Sequence, residues 1–184
     1  GDYLVQVDST SQVTSPAGTM HDLGMAMELV NGTEPHDVAL TGGQDYTVAD
    51  FGFNWAGSIA GIAYYDDDAN LVRDLPGETK VADVTVLLYE DANGNGKYDG
   101  GETPVGFTQT DGAGDYIFEN LPPGDYVVKF DESTVESRSM PGVYGRMVST
   151  TGTNVGVALA AGEDYSGADA GFIEAAEVEG HVFH

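Results

Sequence analysis

The sequence predicts an all-β protein, a two-sheet β-sandwich that is repeated along the chain. Three observations support this. Short runs of β-branched and aromatic residues are present, turn residues including 26 glycines separate them, and one block of sequence recurs. About seven short strands in a repeat of roughly 115 residues are typical of a sandwich.

The individual strands are predicted where apolar side chains alternate or run between turn signals. Residues 84–89 form a β-rich run, and residues 116–118 and 126–130 alternate in facing, as half-buried strands do. Dipeptides such as Asp111-Gly112 lie between the runs and predict turns. Residues 20–30 are the one window that could hold a short helix.

An internal repeat organises the chain. The block at residues 38–53 recurs at residues 157–172, which is 119 positions later (157 minus 38). Residues 1–5 match residues 124–128 at an offset of 123 (124 minus 1), so the second copy is shorter between the two blocks. Residues 180–184 resemble the start of the same unit.

Three domain segments follow from this repeat. We expect the C-terminal half of a repeat at residues 1–57, a complete repeat at 58–173, and the first strand of a following repeat at 174–184. The chain is therefore interpreted as a piece of a longer tandem array, whose neighbouring repeats are its expected partners. Any export signal or anchor is expected outside this piece.

The charge balance excludes several function classes. Thirty-one acidic residues face six basic ones, for a formal net charge of −25. Such a surface disfavours nucleic acid and anionic membranes, and it favours cations. No apolar run reaches the length of a membrane span. Cysteine is absent, so disulfides and thiolate metal sites are excluded. Bound Ca²⁺ is another way to stabilise a domain outside the cell.

One loop matches a calcium-binding pattern at every position. Residues 91–102 fit D-x-[DN]-x-[DN]-G-x₅-E, with Gly96 at the sharp turn. Ca²⁺ takes six to eight hard oxygen ligands, which this spacing can supply from one loop. The predicted ligands are Asp91, Asn93, Asn95, Lys97 through its carbonyl, Asp99 directly or through water, and Glu102. The alternative interpretation is a polar Asn-Gly turn between two strands.

A second acidic loop follows the predicted first strand. It carries Leu71 where the pattern has glycine, and it is one residue too long before its final acid. It is predicted as a weaker calcium site, and the alternative is a solvated acidic loop. Asp111 with Asp115 is a third candidate, for which a hairpin turn is an equal alternative. The predicted ligands of the second loop are Asp66, Asp68, Asn70, Asp74 and Glu78.

The run at residues 110–128, together with residues 49–53, resembles B-type repeats of bacterial surface adhesins, namely serine-aspartate-repeat adhesin B domains and collagen-adhesin B-type (Cna-B-like) modules. The resemblance implies an Ig-like or prealbumin-like β-sandwich, and calcium that rigidifies an extracellular, cell-surface stalk. In that family the acidic loop usually follows the first strand, here at residues 66–78, which is the imperfect copy. Related modules can carry a lysine isopeptide crosslink, but residues 58–65 hold no lysine.

The sequence contains no enzyme motif that we could assign, and an enzyme is not predicted. The four histidines, His21, His36, His181 and His184, match no metal spacing. A sugar-stacking face from Trp55, Tyr64, Tyr65 and Tyr98 competes with ordinary packing.

Three functions are carried forward from the sequence. The first is a calcium-stabilised structural stalk module of an extracellular surface adhesin or filament. The second is a carbohydrate- or protein-binding module of a larger secreted protein. The third is a filament subunit that self-associates by strand addition, with residues 177–184 as the donated strand.

Overall fold

The structure is a computed structural model that describes residues 1–8, 35–74 and 77–176, and the backbone alone of residues 12–14, 20–22 and 27–31. The described residues form fifteen strands and one 3₁₀ turn at Glu132–Thr134. In chain order the strands are β1 (Asp2–Val5), β2 (Gln12–Thr14), β3 (Met20–Asp22), β4 (Met27–Asn31), β5 (His36–Ala39), β6 (Gly52–Trp55), β7 (Gly57–Tyr65), β8 (Thr85–Glu90), β9 (Pro104–Gln109), β10 (Asp115–Leu121), β11 (Gly124–Phe130), β12 (Met147–Ser149), β13 (Asn154–Leu159), β14 (Asp164–Tyr165) and β15 (Ala170–Glu174).

Strands β7 to β15 form the two sheets of a sandwich. One sheet has the order β10-β7-β15-β12, with β14 also paired to β7, and the other has the order β13-β11-β8-β9. The pairing of β15 with β7 is parallel, whereas β11 with β8, β8 with β9 and β12 with β15 are antiparallel. The predicted all-β sandwich is confirmed.

The core of the sandwich comes from alternate residues of its strands. In β7 and β8, side chains such as Ile59, Val86 and Leu88 are buried, and their neighbours along the strand are partly exposed. This is the period of two that a half-buried strand requires. Strand β11 departs from it, since Val127 is buried as well as the residues on either side.

The short helix that the sequence allowed over residues 20–30 does not form at residues 20–22 or 27–31. Residues 20–22 belong to β3, which pairs with β2, and residues 27–31 belong to β4, which pairs with β6. Ladder hydrogen bonds to partner strands override the weak local preference of such a short segment.

The chain divides into two compact units. The first holds residues 1–58 with the segments 119–124 and 159–164, and the second holds the remaining ranges. Within the first unit, β1 pairs with β5, β2 with β3 and β4 with β6, all antiparallel. Strand predictions for residues 177–184 lie outside the described residues. Across the described part of the chain, no helix has the length and apolar character needed to cross a membrane.

Candidate metal centre

Two acidic loops begin where two strands of the sandwich end, one strand from each sheet. The first acidic loop (residues 66–78) follows β7, and the second acidic loop (residues 91–102) follows β8. Each starts with a buried aspartate, since Asp66 is fully buried and Asp91 is 7% exposed. Their backbone amides are fixed by neighbouring strands: Asp66 N donates to Phe172 O at 2.9 Å, and Asp91 N to Asp125 O at 2.8 Å. The sheets therefore set the position of each loop's first carboxylate.

Hydrogen bonds within the first acidic loop turn its backbone around the buried carboxylate. Asp66 accepts the Asn70 amide at 3.1 Å on Oδ1 and the Leu71 amide at 3.2 Å on Oδ2. The Asn70 side-chain amide donates to Asp68 at 3.0 Å and to Asp74 at 2.8 Å. Buried carboxylates need such donors, because an unpaired charge inside a protein is costly.

The last residue of this loop closes it onto the first. Glu78 accepts the Asp67 amide at 3.1 Å and the Asp74 amide at 2.8 Å, one on each carboxylate oxygen. Carboxylate oxygens of Asp66, Asp68 and Glu78 then lie within 4.8 Å of one another. Within the described residues, no other group of three acidic or histidine side chains is this compact.

The negative charge of this cluster changes the pKa of a buried tyrosine next to it. The Tyr64 hydroxyl is buried, and burial together with the charges of Asp66 and Glu78 raises its pKa to about 12. A positive charge stands on the outer side, where Arg138 forms an ion pair with Asp67. The cluster of three carboxylates itself retains an excess of negative charge that a cation can neutralise.

The second acidic loop forms a similar network, with Asn93 in the position that Asp68 has in the first acidic loop. Asp91 accepts the Asn95 amide at 3.2 Å on Oδ1 and the Gly96 amide at 2.6 Å on Oδ2. The side-chain amides of Asn93 and Asn95 both donate to Asp99 Oδ2, at 2.9 and 2.6 Å. These two donors lower the pKa of Asp99 and keep it ionised.

The final residue of the second acidic loop has one carboxylate oxygen without a hydrogen-bond partner. Glu102 Oε2 accepts the Asp99 amide at 3.0 Å, whereas Glu102 Oε1 is buried without a hydrogen-bond partner. A buried carboxylate oxygen without a donor is unfavourable unless a cation or water satisfies it. This atom is the observation in the loop that fits a bound metal best.

The two loops share one backbone shape despite the sequence difference. Leu71 and Gly96 both have φ of +70°, and Ala69 and Gly94 have φ of +57° and +67°. The glycine that the pattern requires is thus replaced by a leucine forced into the left-handed region, where non-glycine residues are strained. Sequence reasoning took Leu71 as a defect of the site, but the loop keeps its turn without the glycine.

The predicted ligands therefore gather in two groups. In the first acidic loop Asp66, Asp68, Asn70, Asp74 and Glu78 form one network, and in the second Asp91, Asn93, Asn95, Asp99 and Glu102 do. The Lys97 amide donates to Asn95 Oδ1 at 2.7 Å, which continues the turn past Gly96. All the side-chain oxygens are hard donors of the kind that Ca²⁺ prefers over transition metals.

The third candidate has the geometry of a hairpin turn. Asp111 Oδ1 accepts the Ala113 amide at 2.8 Å and the Asp115 amide at 3.0 Å, which lowers the pKa of Asp111. The Asp115 carboxylate is bound by Lys80 Nζ at 2.6 and 2.8 Å on its two oxygens. With both carboxylates engaged in this way, the hairpin interpretation is the better one.

The three tyrosines singled out in the sequence make packing contacts or hydrogen bonds within the sandwich. Tyr64 is buried, and the Tyr65 hydroxyl donates to Glu136 O at 3.1 Å. Tyr98 stacks on Tyr89 with ring centroids 4.3 Å apart, and Lys129 Nζ lies 4.1 Å from the Tyr98 ring. Packing explains these contacts.

The histidines form no metal cluster within the described residues. His36 Nε2 is 2.8 Å from the Tyr46 hydroxyl. The side chain of His21, and both His181 and His184, lie outside what the structure describes.

A β-sandwich module with two acidic loops is the class of protein that these features define. The chain belongs to the SdrD B-like domain family, whose model matches residues 57–172. The predicted resemblance to adhesin B domains is confirmed by this match.

Two curated relatives come from Dictyostelium discoideum. Colossin-B is 34% identical over 73 residues, which is 40% of this chain and 2% of that protein. Colossin-A is 28% identical over 138 residues, which is 72% of this chain and 1% of that protein. The chain thus spans only about one to two per cent of the relatives it matches.

Three solved structures are similar at low identity. The minor pilin GBS52 of Streptococcus agalactiae has a TM-score of 0.41 at 15% identity, covering 79% of this chain and 62% of the pilin. The shaft pilin SpaA of Lactobacillus rhamnosus GG has a TM-score of 0.45 at 12% identity, covering 66% and 51%. The TIE protein of Bacillus anthracis has a TM-score of 0.42 at 15% identity, covering 89% and 28%.

Proposed function

We propose that this chain is a structural repeat module of an extracellular surface protein and that its two acidic loops bind Ca²⁺, which stiffens the sandwich. The buried, unpartnered Glu102 Oε1 carries the proposal, because it is a ligand atom with no donor inside the protein. The matching backbone at Leu71 and Gly96 extends the proposal to the first acidic loop.

The position of the loops gives the ion a mechanical role. Each loop leaves the end of a sandwich strand and returns toward the next, so its geometry is coupled to both ends of that connection. A bound divalent cation supplies charge neutralisation and fixes the loop backbone. A net charge of −25 makes such neutralisation favourable for the folded state.

Calorimetric titration of the chelator-treated protein with CaCl₂ tests the proposal, with MgCl₂ as the matched control ion. We expect calcium binding at two sites, and a thermal unfolding midpoint that rises by several degrees at saturating calcium. Magnesium is expected to bind more weakly, since it demands a small octahedral shell and gives up water reluctantly. Absence of calcium binding at millimolar concentration would refute the proposal.

The edge strand β9 favours a second candidate function, association with another chain by strand addition. Phe107 is 75% exposed and Val105 is 42% exposed on this strand, which ends its sheet. Exposed apolar edge strands are templates for pairing. Sedimentation of the chain at several concentrations, with Phe107→Lys as the comparison, tests this: a monomer throughout would eliminate it.

A further inference from the structure

Strand pair β4–β6 in the first unit repeats the pairing of β12–β15 in the sandwich. Met27 lies opposite Trp55, and Met147 lies opposite Glu174. Trp55 and Glu174 are 119 positions apart (174 minus 55), which is the offset of the sequence repeat, and the methionines are 120 apart (147 minus 27). The offset of 120 holds locally, since Gly32-Thr33 match Gly152-Thr153 at the same offset, and the same register therefore occurs twice.

Strand pair β1–β5 likewise corresponds to β11 and β13. Residues 1–5 match residues 124–128 in sequence, and β5 aligns with β13 through Val38 and Val157. Strands β11 and β13 are neighbours in their sheet, as β1 and β5 are. Val38 and Val157 are both buried.

The sandwich strands have partners that their counterparts lack. Strand β11 lies between β13 and β8, and β15 lies between β12 and β7. Within the described residues, β5 is the only strand paired with β1 and β4 the only strand paired with β6, although Trp55 O also accepts the Gly162 amide at 2.9 Å. The missing neighbours are the equivalents of β8 and β7, one in each sheet.

Side chains along β1 show the same difference. The exposed fractions are 55% for Tyr3 against 5% for Tyr126, 67% for Leu4 against 0% for Val127, and 37% for Val5 against 0% for Val128. A groove of about 630 Å³ runs along this strand pair, lined by residues 2–4 and 37–39. Apolar residues that are core in one copy are thus on the surface in the other.

We infer that β1 and β6 are docking edges for the front half of a repeat of this same kind, a polypeptide that supplies strands equivalent to β7 and β8. The sandwich gives the register of the incoming strand. Val127 lies opposite Tyr89 and Val128 opposite Leu88. The docked strand therefore places an aromatic residue opposite Leu4 and an aliphatic residue next to it.

Two glycine positions specify the docked segment further. A Cβ at Gly171 would lie 3.0 Å from the Asp66 side chain and 3.0 Å from the Tyr64 ring, and its counterpart is also a glycine, Gly52. A Cβ at Gly156 would lie 2.6 Å from Gly96 Cα, and its counterpart is Asp37. The edges therefore accept a β7-like strand as it stands, whereas a front half that carries the second acidic loop needs glycine at position 37.

The test extends the full chain. A second copy of residues 58–123 is placed directly before Gly1, which recreates the Pro123-Gly124 junction, and Asp37→Gly makes room for the second acidic loop. We expect amide hydrogen exchange across residues 2–5 to slow by at least about tenfold relative to the unextended Asp37→Gly chain. Leu4→Glu is the control: it should abolish this protection in the extended chain and change nothing in the unextended one, where Leu4 is exposed.

Unchanged exchange of residues 2–5 in the extended chain would overturn the inference. So would concentration-dependent dimerisation of the unextended chain that protects β1 to the same degree, because the occupant would then be a second copy of this chain. The extended chain that keeps Asp37 gives a further comparison. Faster amide exchange of residues 2–5 in it than in the extended Asp37→Gly chain would support the assigned position of the second acidic loop.

Discussion

Leu71 and Gly96 occupy the same turn in the two acidic loops, each with φ of +70°. In both loops the amide of this residue donates to the buried aspartate that begins the loop, at 3.2 Å from Leu71 and 2.6 Å from Gly96. The hydrogen bond holds leucine in a backbone region that it otherwise avoids. The strain is therefore a property of the folded loop, and it can be removed by one substitution.

Leu71→Gly is expected to stabilise the protein. Relief of the left-handed strain favours the folded state by about 1–2 kcal/mol, and the greater freedom of glycine in the unfolded chain offsets about 0.5–1 kcal/mol. Leu71 is 56% exposed, so little burial is lost. Urea unfolding of chelator-treated protein measures the change. The matched control is Val72→Gly, at 62% exposure and without positive φ, which should destabilise.

Asp66→Ala is expected to cost about 3 kcal/mol, because two backbone amides lose a buried charged acceptor. The Asn70 and Leu71 amides both depend on this carboxylate. Asp67→Ala is the control, since its side chain is exposed and its ion pair with Arg138 is worth little at the surface. Equal losses from the two substitutions, measured by thermal unfolding, would contradict the role assigned to Asp66.

Glu102→Gln separates metal binding from stability. The substitution removes the charge of the buried, unpartnered Oε1, so the metal-free protein should be as stable as the parent or more so. Calcium affinity of one site should fall by on the order of tenfold or more. Titration calorimetry gives the affinity, with exposed Glu119→Gln as the comparison. If both variants bind calcium equally well, Glu102 is not a ligand.

Local pattern was sufficient to predict strands β8, β10 and β11 of the sandwich and the positions of both acidic loops. The run that became β8 and the alternation in β10 show which residues face the core, because burial on one face imposes a period of two. The short helix allowed over residues 20–30 does not form at residues 27–31, because pairing of β4 with β6 depends on residues distant in sequence. Local propensity carries no information on such partners.

The backbone geometry of the first acidic loop was not predictable from the pattern. Leu71 breaks the consensus at the turn, yet carboxylate oxygens of Asp66, Asp68 and Glu78 lie within 4.8 Å of one another. The extra residue before Glu78 does not prevent it from reaching the Asp67 and Asp74 amides. Spacing gives the order of the predicted ligands along the chain. The distances between their oxygen atoms depend on backbone torsions that tertiary contacts impose.

Acid should weaken the turn between β9 and β10. The Asp115 amide and then the Ala113 amide stabilise ionised Asp111 and lower its pKa below the usual 3.8. A carboxyl with a lowered folded pKa contributes stability above its unfolded pKa and loses it as pH falls through the folded one. Urea unfolding between pH 7 and pH 3 measures the free energy of unfolding. Below pH 4 this free energy should fall less steeply in Asp111→Asn than in the parent, because asparagine keeps an acceptor that does not titrate. Asp111→Ala should be less stable than Asp111→Asn at every pH, because it has no acceptor. Parallel curves for the parent and Asp111→Asn would contradict the assignment.

Gly156→Ala tests how closely the second acidic loop must pack on β13. An added Cβ would lie 2.6 Å from Gly96 Cα, where both partners are backbone, so the loop has to move. Overpacking of this kind costs about 1–3 kcal/mol, and displacement of Gly96 should also weaken its hydrogen bond to Asp91. We therefore expect lower stability together with weaker calcium binding at one site. Gly112→Ala is the control, since nothing lies within 4 Å of its added Cβ and its φ is not positive. A loss of stability in Gly156→Ala with unchanged calcium affinity would show that the ion does not depend on the position of Gly96.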